Sequence, residues 1–157
     1  MGVVASLTHN TALSYDKKGH DKRSAKKASE FLTRLGLGFK DIRSVVHAIE
    51  NHSNGEDIAS DLDVALWVAD KLDVTRDRLA VTGGGFLSRE LNKVSDASVE
   101  ISSQNFVLKY KADPDFDKLA IREWNKMVLV PQNAAEYLGR SFRFLINDEE
   151  VDLEFLR

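Results

Sequence analysis

The sequence contains no cysteine. That excludes disulfides and thiolate-held metals, so any bound metal must take His, Asp, Glu or backbone ligands, which favours harder or borderline ions. Basic residues are not in excess: 22 Lys and Arg stand against 25 Asp and Glu, a formal charge of −3. Nucleic-acid binding usually shows as a basic surplus, so no nucleic-acid partner is expected. No apolar run approaches the ~20 residues of a membrane-spanning helix. The opening segment MGVVASLTHN has neither a basic region nor a long apolar stretch, so a cytoplasmic location is expected rather than export. Met1-Gly2 with Ser6 matches a myristoylation pattern of a kind that arises often by chance. The VTGGGF run at 81–86 is followed by no Gly-Lys-Ser/Thr and is no P-loop.

What is present is ordinary for a globular protein: 157 residues, 43% apolar and 30% charged. That is one domain, or one core with a small appended subdomain. The pattern predicts an α+β fold. An all-α helical part covers 1–95, and a β-hairpin–helix–β-hairpin subdomain covers 96–157.

The chain is organised around Ile42 to Arg78, read as two helices joined by the polar loop SNGED. Ile42, Val45, Val46 and Ile49 make one buried stripe, with Asp41 as its cap and His47 off the stripe. Leu62, Ala65, Leu66, Ala69 and Leu72 make the next, widened by Trp67 and Val68 and capped by Ser60 or Asp61. This second helix carries Asp70 inside ALWVADKL. A carboxylate there is expensive unless a metal, a Lys or a His pairs with it. Upstream, Asp21 or Ser24 is expected to cap a helix whose apolar positions are Ala25, Ala28, Phe31, Leu32 and Leu35, stopped by Gly36 and Gly38.

Past Asp96 the period changes to two. Val99 and Ile101, then Phe106, Leu108 and Tyr110, predict a hairpin. A helix follows Pro114, with Pro131 kinking or dividing it. Phe142, Phe144 and Ile146, an Asn147-Asp148 turn, and Val151, Leu153 and Phe155 predict a second hairpin. Its edges, and the apolar stretch EWNKMVLV, make a homodimer reasonable.

The four histidines are His9, His20, His47 and His52. Neutral imidazoles combined with carboxylates suit Mn, Fe, Ni, Co or Zn. Spacing alone is weak evidence, since most histidines are surface or satisfied core residues. His47 is expected beside the pocket or on the surface, and Trp67 and Trp124 in the core.

The order LTHN, GHDKRSAKKASEFL, VVHAIENHS, ALWVADKLDVTRDR resembles the HD-domain superfamily of metal-dependent phosphohydrolases. It is most similar to stand-alone bacterial and archaeal HD proteins with a small α+β tail, a likeness that extends to NAAEYLGRSFRFLIND. The resemblance implies a divalent metal held by His9, His20, His52 and Asp70. It implies hydrolysis of a phosphoester such as a nucleotide, with Lys71 and Arg78 as phosphate contacts. The family's His-Asp pair reads His9-Asn10 here, and its first His would fall upstream of Val3. A neutral amide is a poorer partner for a dication than a carboxylate, so an impaired, degenerate site is expected. Three readings follow: an active phosphohydrolase, a non-catalytic HD-like protein that binds a phosphorylated small molecule or a protein, and a metal-free oligomeric module with a buried His/Asp network.

Overall fold

The computed structural model describes residues 1–12, 18–74 and 85–156. The fold is α+β: helices first, then a mixed four-stranded sheet with helices. Contacts within the chain divide it into two compact units, Met1–Asp70 and Lys71–Arg157.

The first unit is helical. It contains α1 (Gly2–Thr8), α2 (His20–Arg34), α3 (Phe39–Asn51) and most of α4 (Asp61–Leu72). α2 does not start at a side-chain cap. Gly19 precedes it in the left-handed region (φ 71°), a conformation that glycine adopts without steric cost, so His20 is its first residue. α2 closes as expected at Gly36 (φ 73°). There the Leu37 N–H bonds the Leu32 carbonyl at 3.2 Å and the Gly36 N–H bonds the Thr33 carbonyl at 3.0 Å, a Schellman closure. Its buried face is Ser24, Ala25, Ala28 and Leu32, whereas Phe31 and Leu35 are exposed. The small residues let α2 lie close to α3. Gly38, not Asp41, precedes α3, and Val45, Ala48 and Ile49 are its buried residues.

α4 presents a different face from the expected one. Asp63, Val64, Leu66, Trp67 and Val68 are buried, while Ala65 and Ala69 are exposed. The rotation is set by the two largest demands on the helix. Trp67 is wholly buried, and its Nε1–H donates to the Ala48 carbonyl at 2.7 Å. Asp63, also wholly buried, closes the start of the helix.

The second unit holds α5 (Phe86–Leu91), β1 (Val94–Ile101), β2 (Asn105–Ala112), α6 (Leu119–Glu123), α7 (Lys126–Tyr137), β3 (Ser141–Ile146), β4 (Glu149–Glu150) and a 3₁₀ helix (Leu153–Leu156). Strand order is β1-β2-β3-β4. β1 and β2 form the expected antiparallel hairpin. β2 and β3 run parallel, from Asn105↔Ser141 to Tyr110↔Ile146, joined through α6 and α7. Leu108, Tyr110, Met127, Val128, Phe144 and Ile146 share one core.

Two expectations change in this unit. The helical segment breaks at Trp124 (φ −119°, ψ 53°), while Pro131 lies inside α7, buried. The second hairpin is brief. Asn147 (φ 52°) and Asp148 (φ 67°) make its two-residue turn, and β4 contributes only two residues before the chain coils into the 3₁₀ helix. The Asn147 side chain clamps Ala112, accepting its N–H at 2.9 Å and donating to its carbonyl at 3.0 Å. Among the described residues, no helix is long and apolar enough to cross a membrane.

Candidate metal centre

All four residues of the expected ligand set fall within the helical unit, and the fold gathers them. His9 caps the end of α1, His20 opens α2, His52 caps the end of α3, and Asp70 lies in the last turn of α4. Helix ends carry unsatisfied backbone groups, and here those groups orient the imidazoles. The His9 Nδ1–H donates to the Ser6 carbonyl at 2.7 Å, and the His52 Nδ1–H donates to the Ile49 carbonyl at 2.6 Å. In both rings Nδ1 is the donor, so Nε2 is left with its lone pair. A backbone carbonyl on the far nitrogen is the usual way of fixing a metal-binding imidazole.

The Nε2 atoms of His20 and His52 are 3.3 Å apart. The His52 ring lies edge-on to both neighbours, with centroids 5.2 Å from His9 and 5.2 Å from His20. His9 Nε2 approaches Asp70 Oδ1 at 3.6 Å. His52 is buried, and the other three are half-buried. Ser24, also buried, accepts the Ala12 N–H on its Oγ at 3.1 Å. That bond ties the segment after His9 to the first turns of α2, where His20 sits.

Two imidazole nitrogens on one tetrahedral ion, each at about 2.0–2.1 Å, stand about 3.3–3.4 Å from each other. The His20–His52 separation matches that spacing. It equally suits a hydrogen bond in which His20 donates from Nε2. His9 is committed elsewhere: the Asn10 amide N–H donates to its Nε2 at 2.8 Å. Among the described residues, no three His, Asp or Glu side chains stand in a finished coordination arrangement. The donor types therefore fit a single divalent ion, with His20 and His52 spaced for it. Completing the set requires the Asn10 amide to leave His9.

Lys71 follows Asp70 in α4 and is half-buried. Arg78 lies outside the described residues.

Sequence reasoning named Asp70 as the costly carboxylate of α4, but Asp63 is the wholly buried one. Its Oδ2 accepts the Ala59 N–H at 2.8 Å and the Ser60 hydroxyl at 3.2 Å, and its Oδ1 accepts the His47 Nδ1–H at 3.1 Å. Its own N–H points to Ser60 Oγ at 3.4 Å. This is a capping box in which the acidic member reaches back to the turn before the helix. The signal was present as Ser60-Asp61-Leu62-Asp63, an S-x-x-D pattern before an apolar run.

No protein-family model, curated protein or solved structure matches this chain significantly.

Proposed function

We propose that this protein binds one divalent transition metal through His20 and His52, with His9 and Asp70 completing the site, and acts as an HD-type phosphohydrolase on a phosphoester. The observation that supports it is the convergence of three imidazoles and a carboxylate from four helix ends, with two Nε2 atoms 3.3 Å apart. When bound, such an ion acidifies a water and polarises a phosphoryl oxygen. The chain's own residues hold the geometry. Ser6 and Ile49 fix the tautomers of His9 and His52 through their carbonyls. Asp70 supplies the negative charge that three neutral imidazoles lack.

One observation favours a second reading, a non-catalytic binder of a phosphorylated ligand. Asn10 occupies His9 Nε2 with an amide that carries no charge. A site short of an anionic ligand holds a dication less tightly.

Elemental analysis of the purified protein, before and after loading with Mn or Zn, tests the metal. A screen of nucleotides and p-nitrophenyl phosphate on the loaded protein then separates the two readings. Stoichiometric metal with turnover supports the hydrolase, and stoichiometric metal without turnover supports the binder. No metal after loading removes both in their metal-bound form.

A further inference from the structure

We infer that a cleft between α3 and the segment leading into α4, separate from the histidine cluster, binds a phosphoryl group between Arg43 and His47. The cleft has a volume of about 280 Å³ and is lined by Arg43, Ser44, His47, Ala59 and Ser60. A water takes about 30 Å³ of liquid, so there is room for a phosphoryl group and part of the molecule bearing it. This site stands on its own observations and does not depend on the metal reading.

Arg43 and His47 are four residues apart on α3, which puts them on one face with Cβ atoms about 5–6 Å apart. Among the described residues, the Arg43 guanidinium makes no ion pair or hydrogen bond. Its fork of N–H donors suits two oxygens of one oxyanion. The His47 ring is anchored from behind. Nδ1–H is held by Asp63 at 3.1 Å, and the ring stacks on Trp67 with centroids 6.4 Å apart. Asp63 in turn is fixed by Ala59 and Ser60. Because Nδ1 is engaged, Nε2 is the nitrogen left for a ligand.

The chemistry of that nitrogen selects the ligand. A neutral His47 offers a lone pair at Nε2 and wants an O–H, while a protonated His47 offers an N–H and wants an O⁻. A phosphate monoester, whose second pKa is about 6, carries both O–H and O⁻ forms near neutral pH. It satisfies either state of the ring while its remaining oxygens face Arg43. A carboxylate is fully ionised there and satisfies only one state. The Ser44 hydroxyl, now bonded to the Lys40 carbonyl at 3.1 Å, lies one turn from His47 and adds a third polar group at the rim.

The test is a titration of the full chain with inorganic phosphate, read by the ring resonances of all four histidines. The expected result is a saturable shift of His47 alone. Arg43→Ala is expected to weaken the response at least about tenfold, the scale of one charge-assisted hydrogen bond. Arg34→Ala, which removes an exposed cation elsewhere in the same unit, is expected to leave it unchanged. Acetate at matched ionic strength is expected to produce no saturable shift. A motionless His47, an undiminished response in Arg43→Ala, or a response confined to His9, His20 and His52 overturns the proposal. Equal binding of acetate overturns the assignment to a phosphoryl group. Arg43 is exposed, so its variant tests the site without threatening the fold.

Discussion

The Nε2 atoms of His20 and His52 face each other at 3.3 Å, one from the first residue of α2 and the other from the cap of α3. Two neutral rings can meet so only through a shared proton or a shared cation. If a cation is shared, replacing either ring removes a ligand. His52→Ala and Asp70→Asn are expected to lower metal content after loading, and His47→Ala to leave it unchanged. Unchanged content in both of the first two variants would remove them from the ligand set.

Asn10→Asp tests whether the site lacks only charge. A carboxylate in place of the amide is expected to tighten metal binding by roughly 10–100-fold, the scale on which metal sites respond to changes around their ligands. Isothermal titration with Mn or Zn measures it. If affinity does not rise, the weakness of the site lies in its geometry and not in Asn10.

Asp63→Ala is expected to destabilise the protein by about 2–3 kcal/mol. It strips the acceptor from Ala59, Ser60 and His47 at once and removes half of a capping box. Asp63→Asn, which keeps one oxygen, is expected to cost less. Urea denaturation of both variants checks the ranking, and equal losses would argue that charge rather than acceptor number is what matters there.

Tyr110 is 1% exposed, and its hydroxyl has no hydrogen-bond partner among the described residues. Burial pushes its pKa well above the ordinary tyrosine value. The ring packs edge-on to Phe144 with centroids 5.1 Å apart. Since the hydroxyl is dehydrated without compensation, Tyr110→Phe is expected to be neutral or stabilising by up to about 1 kcal/mol. A loss of stability on thermal melting would reveal a partner for the hydroxyl.

Glu90 is one carboxylate that makes the second unit sensitive to acid. The Asp117 N–H donates to its carboxylate at 2.7 Å, and the Lys93 ammonium stands at 3.1 Å. The Asp117 bond first, then Lys93, holds its pKa below the usual carboxylate value. A lowered folded pKa means the unfolded chain binds more protons in acid. The stability Glu90 contributes is therefore present above the ordinary value of 4.5 and fades as pH falls through the folded one. The stability gap between wild type and Glu90→Gln is expected to shrink in acid, and a gap that widens there would reverse the sign.

Much of the element order was legible because it depends on local pattern. The helical spacing of α3 and the two-residue alternation of β2 need nothing beyond their neighbours in sequence, although Ala48 takes the buried place expected of Ile42 and Val46, and Ile101 at the end of β1 is exposed. The Asn147-Asp148 turn was legible for the same reason: both residues tolerate positive φ. The face of α4 was not. Apolar residues lie almost all round it, so periodicity left several faces open, and Trp67 and Asp63 chose among them only through α3 and the loop before the helix.

The chemical stock of this protein is written in its residues alone. It holds four histidines, no thiol, carboxylates on an apolar helix, and helical periodicity that gives way to strand alternation past Asp96. These follow from composition and short-range order. Packing set the rest: β2 and β3 pair in parallel, Asp63 rather than Asp70 is the wholly buried carboxylate, and His9, His20 and His52 meet at helix ends. The physical reason is common to all three. Strand pairing, the choice of buried face and the convergence of side chains far apart in sequence are set by which surfaces exclude water together, and that is a property of packed elements.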